Sequence, residues 1–195
     1  MAIAQAQHLI KKLADKLTAN GTKVKYAVHP VAGRMPGHMN VLLCEANVEY
    51  EDLYEMENIN PEFKNADAAI VIGANDVLNP AAREAEGTPI YGMPVLSVDE
   101  CKNIYIFNYD LKPGYAGVEN PLYTRENGVH LYLGNAQETL AKFIDDVDKP
   151  AQISTTAAPK AAKTNENYAA QLKSAKEVII AVSYTHLTLP TICSV

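Results

Sequence analysis

The sequence predicts an α/β fold, specifically a Rossmann-like, doubly wound parallel sheet. Three observations predict it. Short strand-like runs alternate with segments of helical period, the run Ala68–Ile72 is apolar without interruption, and loops rich in Gly, Pro and Asn follow the strand-like runs. Continuous apolar runs are typical of strands covered on both faces, and alternating strands and helices are typical of parallel sheets.

The composition indicates a globular domain with an appendage. The 195 residues exceed the usual size of one domain, and the 48% hydrophobic and 21% charged content is that of an average globular chain. The net charge of -6 disfavours a nucleic-acid partner, which needs clustered Lys and Arg. The three cysteines are far apart and lack a His spacing that suits zinc, so no metal site is predicted. No apolar run is long enough for a membrane helix, so we expect this segment to be soluble.

The first elements are a helix, a strand and a long loop. Apolar residues recur at helical spacing over residues 3–17, and Asn20-Gly21 supplies a stop. Residues 24–28 read as a strand that runs into the Gly- and Pro-punctuated loop 29–38. A loop of this length directly after a strand suggests a connection that faces a ligand.

The strand predicted to be central follows. Residues 39–46 read as a helix, and Asn60-Pro61 reads as a helix start within the acidic segment 48–63. Ala68–Ile72 comes next as a strand buried on both faces.

The remaining elements continue the alternation. Residues 73–76 form a loop that leads to a helix with Pro80 in its first turn. Strands are predicted at residues 94–98 and 103–107, and an amphipathic closing helix at residues 136–147.

The C-terminal part has a different character. Residues 148–166 are rich in Ala, Ser and Thr and poor in groups that build a core, so they read as a linker. Residues 167–175 have a helical pattern, and Glu177–Val182 is a strand-like run. The aperiodic tail 183–195 has no predicted place in a core.

Four stretches carry a resemblance to one family. In chain order they are His29-Pro-Val-Ala-Gly-Arg-Met-Pro-Gly-His-Met-Asn-Val-Leu-Leu-Cys-Glu-Ala46, Val71-Ile-Gly-Ala-Asn-Asp-Val-Leu-Asn-Pro-Ala-Ala82, Pro89-Ile-Tyr-Gly-Met-Pro-Val-Leu96 and Gly114-Tyr-Ala-Gly-Val118. Residues 1–147 thereby resemble the NADP(H)-binding domain of proton-translocating NAD(P) transhydrogenase, the C-terminal domain of its beta subunit. One long match followed by three more in the family's order is a specific signal.

The resemblance implies a dinucleotide-binding component of an oxidoreductase. In the family, NADP(H) lies on a Rossmann-like sheet in a reversed orientation and exchanges hydride with NAD(H) on a partner domain. A membrane domain, on another chain or chain segment, couples this exchange to proton translocation. The resemblance therefore implies a component that is not catalytic alone, at the cytoplasmic or organelle-matrix face of a membrane complex.

The resemblance also implies a set of cofactor-binding residues in several loops. They are Val31, Ala32, Gly33, Arg34, Met35, Pro36, Gly73, Ala74, Asn75, Asp76, Val77, Gly92, Met93, Gly114, Tyr115, Ala116, Gly117, Asn135 and Ala136. The residues from Gly73 to Val77 would lie beneath the nicotinamide end.

The residue types agree with this placement. Glycines let backbone N–H groups approach phosphates, and Arg34 can neutralise a phosphate charge. Asp76 follows the C-terminal end of a buried strand, where open α/β sheets bind ligands. We interpret Asp76 as the coupling residue, since a partly desolvated carboxylate there would respond to the redox state of a cofactor. Without the family match, a Gly-rich loop reads as a plain turn, and His29 and His38 as ordinary histidines.

The sequence departs from the family at its start. Family members enter the domain through a strand and a Gly-Tyr-Gly-Met turn, and this chain begins at the Met of that turn. Residues 170–180 resemble the family's segment just upstream of it. They either fold back as a permuted first strand or begin a second copy that is cut short. The segment 170–182 is therefore predicted either to pair as a strand beside the Ala68–Ile72 region or to lie detached.

The second departure affects cofactor choice. After the strand that ends at residue 107, the family carries Lys-Arg-Ser, which grips the 2′-phosphate of NADP, whereas this chain carries Asn108-Tyr109-Asp110. A carboxylate at a ribose site favours a free 2′-hydroxyl, so NAD(H) becomes an alternative cofactor. The positive charge of Lys112 partly compensates for the missing Lys and Arg.

Two other functions stay open at this point. The chain is alternatively a module that binds a dinucleotide without turnover, or an incomplete fragment that binds none. A partner domain for NAD(H) and a membrane proton-channel domain are expected only for the transhydrogenase component.

Overall fold

The computed structural model describes residues 6–30, 37–148, 172 and 174–182. The helices are α1 (Gln7–Ala19), α2 (His38–Glu45), α3 (Met56–Ile59), α4 (Ala81–Glu84) and α5 (Ala136–Asp148). The strands are β1 (Lys23–Val28), β2 (Leu53–Glu55), β3 (Ala68–Ile72), β4 (Ile104–Asn108), β5 (Val129–Leu133) and β6 (Glu177–Val182).

The strands form one parallel sheet in the order β2-β1-β6-β3-β4-β5. The predicted fold class is therefore confirmed. If β6 is counted as the first strand, the order becomes 3-2-1-4-5-6, which is the order of the dinucleotide-binding Rossmann sheet. The last described strand in sequence thus takes the place of the first strand of that sheet.

Strand β6 pairs with β1 along its whole length and with β3 from Val178 to Val182. Val178 is the partner of Val24 in β1, and Ile180 is the partner of Ile70 in β3. All residues from Val178 to Val182 are buried. Of the two arrangements left open by the sequence, the structure shows the paired one.

Polar contacts fix the beginning of β6 at the amino-terminal edge of the sheet. The Asp67 carboxylate accepts hydrogen bonds from the backbone N–H groups of Lys176 (2.7 Å) and Glu177 (3.3 Å). The Thr22 hydroxyl donates to the Ala175 carbonyl at 2.8 Å. Because these bonds hold the residues that precede the strand, they define the register in which it pairs.

A buried cation joins β6 to the sheet as well. Lys25 in β1 is 5% exposed, and its ammonium pairs with the carboxylate of Glu177 at 2.5 Å and with that of Glu62. Burial by itself lowers the pKa of Lys25, but the hydrogen bonds and charges of Glu177 and Glu62 outweigh burial and raise it above its ordinary value. Lys25 is therefore a cation at neutral pH.

The two faces of the sheet are covered by different elements. Helices α1 and α5 cover one face, where Ile10 and Phe143 belong to the same cluster as Ile180. The other face packs against connecting segments, with Phe63 in the same cluster as Ile179. Alternate residues of β6 thus enter both clusters, as a strand buried on both faces requires.

One predicted strand is wrong. Residues 94–98 do not pair in the sheet, and Val98 begins a 3₁₀ turn instead. The Asn60 side chain binds the backbone here, because its amide donates to the Val95 carbonyl and its oxygen accepts from the Ser97 N–H, both at 3.0 Å. These backbone groups are therefore satisfied without a neighbouring strand.

Other boundaries differ from the prediction. Asn60-Pro61 opens a 3₁₀ turn directly after α3 and does not start a regular helix. Strands β2 and β5 were not predicted, since β2 has three residues and β5 has mixed polarity. The proposed linker 148–166 lies outside the described residues except for Asp148, and the tail 183–195 lies outside them altogether. Leu172 is helical within the predicted helix 167–175.

Candidate functional site

The carboxyl-terminal edge of the sheet collects the predicted site residues that the structure describes. Because the strands are parallel, the loops after β1, β3, β4 and β5 all begin at this edge. The strand order reverses between β6 and β3, and ligands of open α/β sheets bind outside such a switch point. The predicted residues Val31, Ala32, Gly33, Arg34, Met35 and Pro36 lie outside the described residues.

The loop after β3 turns at Gly73. Gly73 has a φ of +60°, which glycine adopts without a steric penalty, and its N–H donates to the Phe107 carbonyl at 2.9 Å. Asp76 follows in a 3₁₀ turn that also contains Val77, and both residues are buried. The loop is thereby held against the end of β4.

The carboxylate of Asp76 holds the segment that follows β4. It is 5% exposed, and its Oδ2 accepts a hydrogen bond from the Ala116 N–H at 3.1 Å. Its Oδ1 is buried and has no hydrogen-bond partner among the described residues. A buried carboxylate with one unsatisfied oxygen is costly, which marks this position as a candidate for function.

Gly114 lies directly against the same carboxylate. A Cβ built on Gly114 would come within 2.6 Å of Asp76 Cγ, although the φ of Gly114 is ordinary. The glycine is therefore required by contact and not by backbone conformation.

We expect Gly114→Ala to destabilise the protein by about 1–3 kcal/mol, because the added methyl group forces the two loops apart. Urea unfolding measures the change. In an Asp76→Ala background the same substitution should cost less, since the colliding carboxylate is gone. An equal cost in both backgrounds would contradict the proposed contact.

The residues after β4 divide into one buried and two exposed positions. Asn108 is 3% exposed, and its amide donates to the Ala74 carbonyl at 2.9 Å and to the Tyr123 hydroxyl at 2.8 Å. Tyr109 and Asp110 are exposed, and the Asp110 carboxylate lies 3.9 Å from the Lys112 ammonium. Asn108 thus supports the loop that contains Ala74, while Tyr109, Asp110 and Lys112 are exposed at the surface.

The loop containing Gly92 and Met93 packs beside the segment after β4. Met93, Ala116 and Val118 pack against the same small cluster of buried residues, to which Ile90 belongs. Gly92 has a φ of +80°, and a Cβ there would meet nothing within 4 Å. The same is true of Gly117, so the backbone is open to a ligand at both glycines.

His29 connects this loop to the end of β1, a role that the sequence did not indicate. It is 1% exposed, and its Nε2 lies 2.7 Å from the Pro94 carbonyl oxygen. Burial lowers the pKa of the imidazole below its ordinary value, and the hydrogen bond to Pro94 opposes that shift in part. The neutral ring therefore donates to Pro94, which ties the loop of Gly92 and Met93 to β1.

The remaining predicted residues lie at the start of α5. The Asn135 side-chain oxygen accepts from the Gln137 N–H at 2.9 Å, which is a capping interaction, and Ala136 is the first helical residue. Tyr115 is 63% exposed in the segment after β4.

A cavity of about 320 Å³ opens beside the carboxyl-terminal ends of β1 and β2. Its lining includes His29, Gly37, Met39, Tyr54 and Glu57. A larger but shallower depression lies along α1 and has a lysine-rich lining, and it does not include the loops of the carboxyl-terminal edge. The first cavity adjoins the ends of β1 and β2, and its lining includes none of the predicted site residues that the structure describes.

Neither a metal site nor a membrane-spanning helix is found among the described residues. In the described part of the chain, no group of three or more His, Cys, Asp or Glu residues could hold a metal ion. No helix among those residues is long and apolar enough to cross a membrane.

The strand order and the loops at the carboxyl-terminal edge define a Rossmann-type α/β protein with its candidate site at the switch point. Comparison with known proteins is more specific. Residues 1–146 match the family described as NAD(P) transhydrogenase beta subunit. The chain belongs to this family.

The relatives include the NAD(P) transhydrogenase subunit beta of Rhodospirillum rubrum, with 51% identity over 144 residues. A second subunit beta, from a defined strain of the same organism, gives the same identity over the same length. The match covers 74% of this chain and 31% of the relative in each case. The chain therefore spans about a third of the length of these relatives.

Proposed function

We propose that this chain holds NADP(H) at the carboxyl-terminal edge of its sheet and presents the nicotinamide for hydride exchange with NAD(H) on a partner domain. The observation that carries the proposal is the 51% identity to a transhydrogenase subunit beta over 144 residues, together with a family match over residues 1–146, which include the loops after β1, β3, β4 and β5. A membrane domain would couple the exchange to proton translocation, and this segment would lie at the cytoplasmic or matrix face of that complex.

The described residues fit a dinucleotide. Gly73, Gly92 and Gly117 have positive φ, and the last two face open space, so phosphate oxygens can approach their backbone. The other proposed contacts among the described residues are Ala74, Gly114, Tyr115, Ala116 and the cap residue Asn135. The loop that contains Val31 and Arg34, which lies outside the described residues, is proposed to add further contacts. Glycine-lined backbone at a switch point is the usual cradle for such a ligand.

The cofactor supplies hydride chemistry when it is bound, and the chain supplies position and electrostatics. The residues from Gly73 to Val77 would support the nicotinamide end. Asp76 would sense the redox state, because its buried carboxylate already holds the Ala116 N–H and keeps one oxygen unsatisfied.

We expect Asp76→Asn to change hydride exchange more than folding, because an amide of the same shape preserves packing but removes the charge. Exchange with the NAD(H)-binding partner should slow, while the midpoint of thermal unfolding should shift little. An unchanged exchange rate would argue against a coupling role.

Nucleotide titration of the purified full chain tests the proposal. Saturable binding of NADPH or NADH supports a dinucleotide site, and tight NADPH binding supports the family role. Binding of a dinucleotide without exchange in the presence of the partner domain would favour a non-catalytic module. Absence of binding for both nucleotides would favour the incomplete fragment.

Cofactor preference should follow the two exposed residues after β4. We expect NADPH to bind no more tightly than NADH, because an acidic Asp110 stands near the position proposed for the 2′-phosphate. In Tyr109→Arg/Asp110→Ser, NADPH affinity should rise at least about tenfold, since each charge-assisted hydrogen bond contributes about 1.5–3 kcal/mol. Asn108 is left unchanged, because a lysine there would be buried among its present partners.

The control for this prediction changes the charge by the same amount at the opposite edge. Glu100→Arg also raises the net charge by two, in the turn before β4, and should leave both affinities unchanged. If the unmodified protein binds NADPH far more tightly than NADH, Asp110 does not face the 2′-phosphate.

A further inference from the structure

A network of side-chain amides joins the loop after β3 to the segment after β4. At its centre is Asn120, which is 5% exposed and was not among the predicted site residues. Its amide nitrogen lies 3.2 Å from Asn75 Oδ1 and 3.4 Å from the Asn75 carbonyl oxygen. The Asn75 amide in turn donates to the Lys112 carbonyl at 2.8 Å. A chain of hydrogen bonds therefore connects the Asn120 side chain, through the Asn75 side chain, to the Lys112 backbone.

Backbone partners fix the orientation of both amides. Asn120 Oδ1 accepts from the Leu122 N–H at 3.0 Å, so that atom is the oxygen and the nitrogen faces Asn75. The Asn75 nitrogen faces a carbonyl that only accepts, so its oxygen faces Asn120. The donor of one amide meets the acceptor of the other. Reversal of the Asn75 amide would break two bonds, and reversal of the Asn120 amide would break three.

Asn75 lies between two residues that hold the proposed site together. The Ala74 carbonyl accepts from Asn108 and Tyr123, and the Asp76 carboxylate accepts from Ala116. Asn120 binds both the backbone carbonyl and the side chain of Asn75. It therefore determines the orientation of the loop after β3 at the carboxyl-terminal edge.

We propose that Asn120 is a positioning residue for the nucleotide site, acting through Asn75 and making no contact with the ligand itself. This inference rests on the proposed function. Its consequence is that loss of the Asn120 donor weakens dinucleotide binding even though the fold survives.

Asn120→Asp in the full chain tests the inference. The carboxylate keeps the shape and the acceptor for Leu122, but it removes the donor to Asn75 and places a negative charge against the two Asn75 oxygens. The probe is the fluorescence of bound NADPH or NADH, whichever the unmodified protein binds more tightly. We expect binding to weaken about tenfold, as loss of a hydrogen bond at a buried position predicts.

A double-mutant cycle separates positioning from general structural support. Asn75→Ala should weaken binding by a similar factor, and Asn75→Ala combined with Asn120→Asp should weaken it little more than either alone, because both act through one contact. Asn103→Ala is the matched control: it removes a 3.1 Å hydrogen bond to the Asp67 carbonyl at the opposite edge of the sheet. The midpoint of thermal unfolding of Asn103→Ala should fall, while its nucleotide affinity stays unchanged.

The possible results decide between the two proposals. Unchanged affinity in Asn120→Asp, or effects that multiply in the double variant, would overturn the positioning role and leave the nucleotide site intact. Absence of NADPH and NADH binding by the unmodified protein would overturn both. If Asn120→Asp does not fold, Asn75→Ala alone replaces it, because Asn120 acts through Asn75, and affinity equal to that of the unmodified protein would again contradict the inference.

Discussion

Replacement of Ile180 by aspartate is expected to unfold the protein at room temperature. Ile180 is fully buried in the centre of β6, between β1 and β3, and it packs in the cluster that α1 and α5 cover. An aspartate there places an unpaired charge in the core and removes apolar area from it. The cost is on the order of 5 kcal/mol, comparable with the whole stability of a typical domain.

Circular dichroism and urea unfolding measure this effect. Ile180→Val should cost only about 0.5–1.5 kcal/mol, because it removes one methylene group. Val41→Asp is the control for an aspartate on the surface, since Val41 is 58% exposed, and it should shift the stability by less than about 0.5 kcal/mol. A folded, unaltered Ile180→Asp variant would show that β6 is not part of the sheet.

The second large effect is expected at the ion cluster of Lys25. Glu62→Gln combined with Glu177→Gln leaves the buried ammonium without a counter-charge, and this should cost about 3–5 kcal/mol. Lys25→Met should cost less than half as much, because it removes the buried charge and leaves two carboxylates that are partly exposed. Loss of the two carboxylates is thus predicted to destabilise the protein more than loss of the lysine.

Urea unfolding at pH 7 measures this difference. The pKa of Lys25 is raised above its unfolded value, so the stabilising contribution is complete below about pH 10 and is lost as the pH rises through the folded pKa. Asp15→Asn is the control, since it breaks the exposed pair with Lys11 on α1 and should change stability by less than about 1 kcal/mol. Equal costs for the Glu62/Glu177 variant and Lys25→Met would contradict the asymmetry.

The elements that the sequence predicted correctly are those with strong local patterns. Ala68–Ile72 is continuously apolar and forms β3, and the amphipathic pattern of residues 136–147 forms most of α5. The elements that were missed or wrong have weak patterns: β2 has three residues, and residues 94–98 look like a strand but bind the Asn60 side chain. Local pattern cannot reveal a side chain that lies more than thirty positions away and satisfies the backbone.

The candidate site divides in the same way. Its glycine-rich loops were predicted because glycine and the family motifs are visible in the chain, and the structure gathers the described ones at one edge. The roles of His29, Asn108 and Asn120 were not visible, because each depends on a hydrogen bond to a distant loop. Nothing in a single histidine or asparagine indicates which loop it will meet.

The sequence by itself determined the α/β class, the family and the loops of the candidate site, because these depend on local periodicity and on motifs. It also determined that Glu177–Val182 is a strand. Only the tertiary structure decided where that strand lies. Its position between β1 and β3 depends on contacts of Asp67, Thr22 and Lys25 with residues more than a hundred positions later in the chain. It also depends on the burial of both apolar faces of the strand. Such contacts are set by the packing of the whole sheet, which no local segment encodes.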